Sequence, residues 1–404
     1  MALTWPWQKK SNITDILRSL GGASSAKSGA KVTYETALQV TTALACARVI
    51  AEGLAQVPFK IFRETPNGGR EAAKDHPLYD LLTISPNPWQ TSYEFRELMG
   101  MHLVFAGNFF AFKNIARGKI IELFPYEPGQ VTVKRENGID ITYAVKLKNG
   151  DSIDIPAENM WHVRGPSWNG WMGMDAVKMI REAIGLSLAT EEHGARMFSN
   201  GARVGGTLTT DGALKPAQVD ELRAAWKETQ GGNANAYETA ILWGGLKWTP
   251  IAQQNDQAQL IEQRMFQVQE ICRGFRVMPI MVGHADKAQT YASSEQQFLA
   301  HVGHTMGPWY ERVEQSAEVN LLSEKDRAAG YYVKFITAGL LRGAHQARSE
   351  YYAKALGAGG SPAWMTADEV RGLEELNPMG GAAAELPKPT NVGGFGRPDI
   401  SPTE

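Results

Sequence analysis

Cysteine is nearly missing from this 404-residue chain: only Cys46 and Cys272 occur, both inside apolar helical patterns. They read as buried thiols of a reducing compartment and exclude a disulfide framework. An excess of one charge is missing too. The 41 basic and 43 acidic residues leave a net charge of −2. That excludes a tight electrostatic grip on nucleic acid and limits any DNA contact to a weak, local or transient one. No run of eighteen apolar residues occurs. The nearest, MHLVFAGNFFAF at 101–112, is too short and carries His102 and Asn108, so it reads as buried core and not as a membrane span. The N-terminus MALTWPWQKKSNITD lacks the continuous apolar region of a secretory signal. A soluble protein made in the cytoplasm is expected. Absent as well are GxxxxGK followed by Ser or Thr, HExxH, paired CxxC and GxSxG, so no ATP hydrolysis and no cofactor are expected.

What is present is ample core material, with 43% hydrophobic residues and length for two or three domains. Residues 1–30 end in a Gly/Ser/Ala-rich stretch and read as a flexible leader. Val40, Leu44, Ala47, Ala51 and Leu54 mark one helical face, which Pro58 ends. Gly68 and Gly69 mark a turn after the strand FKIFR. A short helix follows over 76–82, then a non-helical Ser85-Pro86-Asn87-Pro88. Thr91 or Ser92 caps the next helix. Strands are predicted in FFAFKN, KIIELFPY, QVTVKR, ITYAVKL, DSIDI and MWHVRG, with hairpin turns at Asn137-Gly138 and Asn149-Gly150. To about residue 170 this is an α+β domain with a largely antiparallel sheet.

Three helix patterns then follow in one order, at 175–201, 255–276 and 293–322. The first starts at Asp175, a good N-cap. It carries one stripe of Val177, Ile180, Ile184 and Leu188 and a second of Met179, Ala183 and Leu186. A helix apolar on more than one side must bury more than one side. The second pattern carries Ile261, Met265, Val268, Cys272 and Phe275. The third would span on the order of 45 Å if straight, but Gly303, Gly307 and Pro308 predict a kink. Between the first two lies a miniature α/β insert with Trp226, Trp243 and Trp248, whose strand pair is read in TAILWGG and LKWTPIA. The strand YYVKFI should return to pair with the first domain. Two helices follow it, and a Gly/Pro-rich tail after 378 is expected to be disordered.

Few residues suggest chemistry. His301 and His304, with His284 upstream, offer a weak metal site or pH switch, yet no cysteine or carboxylate stands at matched spacing; polar caps near a kink suit them better. His162, Arg164, Trp168 and Trp171 could stack a base, but a loop pinned onto the sheet by tryptophans suits them better. Asp151, Asp154 and Glu158 alternate as solvated strand-edge positions do.

The order of motifs resembles the portal (head–tail connector) proteins of tailed bacteriophages, in the long-tailed class. The matching stretches include ALACARVIAEGLAQVPFKIF, HPLYDLLTISPNPWQTSYEFRELMGMHLVFAGNFFAF, MDAVKMIREAIGLSLATEEHGARMFSNGARVGGTL, QLIEQRMFQVQEICRGFRVMP, SSEQQFLAHVGHTMGPWYERVEQ and TADEVRGLEELNP. The resemblance implies a portal-type α+β fold with a wing at 30–174, stem helices at 175–201 and 255–279, and a clip at 202–254. It implies a tunnel loop at 280–292, a kinked helix and returning wing strand at 293–341, and a crown at 342–377. It implies no enzyme but a twelve-subunit ring at one capsid vertex of the virion. Double-stranded DNA would pass through it without sequence specificity; large terminase, major capsid and scaffold proteins and a head–tail adaptor would be partners. No membrane is implied, and assembly would occur in the host cytoplasm. His284, Asp286, Lys287, Gln289 and Thr290 would face the channel, and Val177, Ile180, Ile184, Leu188, Ile261, Met265 and Val268 would build the stem and subunit interface. Trp226, Trp243 and Trp248 would belong to the clip. The competing readings are a metal-dependent phage DNA-processing enzyme and another head-assembly protein, an adaptor or scaffold.

Overall fold

The computed structural model describes residues 24–387 except 67–68, 148, 200–205, 211, 213, 231–240, 243–244, 251–255, 285–290, 338–344, 359–361 and 375. The chain divides into two compact units, Met1–Cys46 with Asp175–His284 and Ala47–Met174 with Ala285–Glu404.

The first unit is built on two long helices, Arg181–Ser199 and Asp256–Phe275, which pack on each other. Asp175 caps a single preceding turn, Ala176–Met179, by accepting the Lys178 N–H at 3.0 Å, and it also accepts the Tyr34 hydroxyl. At Ile180 the backbone leaves helical geometry (φ −101°, ψ 17°), so the expected helix is stepped. The leader expected over 1–30 is described only from residue 24. Ser24–Ser25 (β1) pairs antiparallel with Lys31–Val32 (β2), and Ala26 and Val32 are buried. Gly185 permits this: a Cβ there would lie 2.2 Å from the Ala26 Cβ. The polar composition of this segment therefore hides an apolar contact of two small side chains. The two cysteines, both buried and free, meet with sulfurs 3.8 Å apart.

The insert holds the helix Pro216–Gln230 and a two-stranded sheet of Gly206–Thr209 and Lys247–Pro250. The strand at LKWTP pairs with the first strand of the insert; most of TAILWGG lies outside the described residues.

The second unit contains three antiparallel sheets. Phe59–Glu64 (β3) lies between Arg70–Ala72 (β4) and the late strand Tyr331–Phe335 (β13), whose Phe335 sits opposite Phe59. The returning strand thus closes the unit as read from the sequence. Asn108–Ala116 (β5) lies between Lys119–Tyr126 (β6) and Met160–Arg164 (β10). Val131–Glu136 (β7), Asp140–Lys146 (β8) and Ser152–Pro156 (β9) form a meander. Its first turn carries Asn137 and Gly138 at φ +50° and +76°, the geometry an Asn-Gly pair adopts most readily. Phe110, Tyr126, Val131, Tyr143, Val145, Ile155 and Met160 fuse β5–β10 into one core cluster.

Helices cover this core. Ser92–Ala106 is capped by Thr91, with Glu94 completing a capping box, and ends at Gly107. The third long pattern is broken as expected, by a π-helical turn. Tyr291–Ala300 passes through His301–Met306 into Gly307–Leu321. Pro308 lacks an N–H and its ring crowds the carbonyl four residues back. The Gly307 N–H reaches five residues back to Val302 O, which widens the turn. Lys113 is buried in β5 and donates to Asn320 O at 2.6 Å, satisfying a carbonyl at the helix C-terminus. Of the tail expected over 378–404, residues 378–387 are described. The Asp368 carboxylate accepts the Met379 and Gly380 N–H groups at 2.8 and 2.9 Å, and a 3-10 turn follows at Gly381–Ala384. A Gly/Pro-rich composition favours disorder only where nothing accepts the freed N–H groups.

Candidate functional site

The stem positions split into two groups. Val177 is buried, Ile184 is 0% exposed and Ile180 lies over Gly274, where a Cβ would meet its Cγ2 at 2.7 Å. Ile180 therefore lies in the seam between the two long helices of the same chain, and Ile271, Cys272 and Phe275 on the second helix are buried too. Leu188 and Val268 are half-buried. Ile261 and Met265 are 58% and 53% exposed, and Phe266, Met179 and Leu186 are exposed as well. Of the second stripe named from the sequence, Met179 and Leu186 are exposed among the described residues and Ala183 is half-buried. Phe266 has no place in either stripe, and only its neighbour Met265 pointed to it.

Of the loop residues, His284 is half-buried at the end of its unit, after the turn Pro279–Val282 and Gly283 at φ +79°. Asp286, Lys287, Gln289 and Thr290 lie outside the described residues, as does Trp243. Trp226 is half-buried on the insert helix, and Trp248 is exposed on the insert sheet.

The histidines do not gather. His301 is buried and His304 exposed, because residues three apart in the widened π turn no longer share a face. Burial holds His301 below the usual imidazole pKa. Asp154 is paired with Lys134 at 2.7 Å and Asp151 accepts from Asn149, both at the surface. Among the described residues no three His, Cys, Asp or Glu side chains are placed to hold a metal ion. No helix there is long and apolar enough to cross a membrane.

The cluster around His162 is a structural knot. Asn108 Oδ1 accepts from the Gly173 N–H at 2.8 Å and from His162 Nε2 at 3.0 Å, and its Nδ2 donates to Ala106 O and Gly173 O. Asn108 Oδ1 can only accept, so the ring proton of neutral His162 sits on Nε2. Tyr143 then donates to Nδ1 at 3.2 Å. Burial lowers the His162 pKa to about 3, aided by the Arg164 charge. Three glycines make the knot possible. Gly107 has φ +69°, Gly165 N donates to its carbonyl at 2.7 Å, and a Cβ on Gly173 would lie 1.8 Å from that carbonyl. Of the tryptophans here, Trp161 is buried in the sheet and Trp171 is half-buried, whereas Trp168 is 93% exposed and pins nothing. The knot holds the chain at Met174, one residue before the helix cap at Asp175. The signal in the sequence was three glycines flanking Asn108 and His162, which carry no periodicity.

A family model described as phage portal protein matches residues 41–375. A portal protein of Enterobacteria phage HK97 is 30% identical over 352 residues, covering 86% of this chain and 81% of that one. Among solved structures, a chain of the virion of the native gene transfer agent particle superposes with a TM-score of 0.61 at 20% identity, covering 85% and 94% of the two chains. A chain from the neck of the native particle, computed with C12 symmetry, gives 0.58 at 20% identity, covering 85% and 92%. These structures share the fold described above.

Proposed function

Because the chain belongs to the phage portal protein family, we propose that it assembles head-to-tail into a closed ring of twelve subunits at one capsid vertex, through which double-stranded DNA is packaged and ejected. The observation that carries this reading is the apolar side of the two long helices left exposed, among the described residues, at Met179, Leu186, Ile261, Met265 and Phe266. A surface on one flank that meets a different surface on the next copy generates a ring when the rotation closes. Twelve copies are suggested by the C12 symmetry of the related neck. The role is structural and not catalytic, in the virion after assembly in the host cytoplasm.

Duplex DNA carries a charge every ~1.7 Å, and a strongly basic lining would hold it fast. A chain of net charge −2 suits sliding. Lys287, with His284, Asp286, Gln289 and Thr290, belongs to the loop 280–292 that would reach the channel and touch phosphates transiently. Deleting residues 287–292 should leave rings intact yet reduce DNA packaging or retention; unchanged packaging would remove that role. The insert with Trp226, Trp243 and Trp248 would protrude as the clip, where large terminase and later the head–tail adaptor dock. Major capsid and scaffold proteins would surround the wing. The test is negative-stain imaging with native mass measurement. Twelve chains of 44.3 kDa give a particle of about 530 kDa with an axial opening. Monomers in every condition, even with scaffold and capsid protein, or an oligomer without an opening, would end the reading.

A further inference from the structure

Cys46 and Cys272 are the only two cysteines in 404 residues, and the fold brings them together. Cys46 stands in the second turn of the helix Thr41–Gln56, and Cys272 in the last turn of Asp256–Phe275. Both belong to the first unit, both are buried and free, and their sulfurs are 3.8 Å apart. A buried thiol packs as a small apolar group, which accounts for either cysteine alone. It does not account for sulfur contact between the only two, 226 positions apart. The contact also has a direction. The Cys46 thiol donates to the Cys272 sulfur. That bond favours negative charge on Cys272 and lowers its pKa, although burial opposes it. The Cys46 thiol is pushed up by the same bond and by burial. Cys272 is therefore the better nucleophile of the two.

Cys272 also lies where its helix ends. The Val277 N–H closes onto the Cys272 carbonyl at 2.9 Å, and Arg276 between them holds φ +57°, a left-handed conformation that disfavours a side chain. Helix ends fray first, which gives a small uncharged oxidant a way in without unfolding the unit. We propose that Cys46 and Cys272 form a reversible oxidation site, at which a peroxide converts the dithiol to an intrachain disulfide. The Cys272 sulfur attacks one peroxide oxygen; an S–O bond forms, the O–O bond breaks, and the departing hydroxide takes the Cys272 proton as water. The Cys46 sulfur then attacks the Cys272 sulfur. An S–S bond forms, the S–O bond breaks, and hydroxide leaves with the Cys46 proton as a second water. The two thiols are oxidised together, and one hydrogen peroxide is reduced to two waters. The sulfurs close from 3.8 Å to about 2.05 Å, a movement that two side chains can share. The bond ties the start of Thr41–Gln56 to the end of Asp256–Phe275. On the function proposed above, the chain is made in a reducing cytoplasm and leaves it in the particle, so the bond would form after release. The inference itself concerns one chain and does not need the ring.

The test treats the reduced, full-length native protein with hydrogen peroxide. Acid and N-ethylmaleimide stop the reaction before denaturation, and peptides are mapped by mass spectrometry without reductant. Free thiols should fall from two to none per chain. A peptide pair joined through Cys46 and Cys272 should appear, and dithiothreitol should restore both thiols. On a denaturing gel without reductant the oxidised chain should run ahead of the reduced one, because a loop of residues 46–272 is closed. In Cys46→Ala the sulfenic acid has no second thiol to meet. Dimedone should trap it on Cys272 at least about tenfold more than it traps Cys46 in Cys272→Ala. Equal trapping would overturn the assignment of Cys272 as the attacking sulfur. Thiols that survive peroxide in the native protein, sulfinic acid without the joined peptides, or chains linked to one another instead would each overturn the oxidation site. Every readout is made on the single chain, so failure here leaves the ring reading standing.

Discussion

Replacing Asn108 with Leu should loosen the second unit at Gly173 and Met174. The side chain of Asn108 is buried and makes four hydrogen bonds, to Gly173 N, His162 Nε2, Ala106 O and Gly173 O. Leucine is close in size and makes none. The two acceptors are carbonyls that lose one bond each. The two donors lose their acceptor, and an unsatisfied buried donor costs ~1–3 kcal/mol. The His162 ring N–H is fully enclosed and should cost about 2 kcal/mol, while the half-buried Gly173 N–H recovers some water and should cost about 1 kcal/mol. The expected loss is about 3 kcal/mol, a large part of a typical domain stability of ~5–15 kcal/mol. It should be concentrated at the knot. Hydrogen exchange of amides 165–174 should speed up by about a hundredfold, with a smaller change in β7–β9. Ring yield should fall as well, although Asn108 lies in the interior of the second unit, because the residue before the Asp175 cap is no longer held. A loss below about 1 kcal/mol with unchanged exchange in 165–174 would refute the reasoning.

Acid should destabilise the second unit. Burial lowers the folded-state pKa of His102 to about 4 and of His162 to about 3, against ~6.5 in the unfolded chain. Depressed values mean that the unfolded state binds protons first. Stability is therefore complete above ~6.5 and falls as pH drops towards 4 and 3, by ~1.4 kcal/mol per pH unit for each histidine. Glu314, whose carboxyl burial pushes up, works in the opposite sense; equal urea midpoints at pH 7 and pH 5 would contradict the histidine argument. Ile184→Asp should unfold the first unit, since it buries an unpaired charge at a cost of several kcal/mol, whereas Met265→Asp should leave monomer melting unchanged and abolish rings. If both variants gave stable monomers, the division of the stem into buried and ring-facing sides would be wrong. Gly185→Val should push β1 and β2 off the first long helix and expose residues 24–32 to protease; resistance equal to wild type would count against that packing.

Much of the architecture was legible because its signals are local. The Thr91–Glu94 box, the Asp175 cap, the Asn137-Gly138 hairpin and the Pro308 break each depend on a few consecutive residues whose backbone preferences act before any packing. The returning strand at 331–335 was also legible, as an apolar run with no local partner. The family followed from many such segments in one order. The tunnel-loop residues remain expectations from that resemblance.

What the chain by itself determined, then, is where helices, strands and turns form, and that the long helices carry more apolar surface than one side can bury. Only tertiary structure decided which side is used within the subunit. Helical periodicity places Ile184 and Met265 on stripes, but burial depends on the distant segment that arrives. Ile184 is fully buried, whereas Met265 stays 53% exposed. The same dependence turned a polar leader into a strand pair through Gly185 and Ala26, and a tail into an ordered turn through Asp368. It also joined Asn108, His162 and Gly173, three residues up to 65 positions apart, into the knot from which the stem begins. Contacts of that kind leave no period in a sequence, because they are made between backbones and single polar atoms that only the folded chain brings within bonding distance.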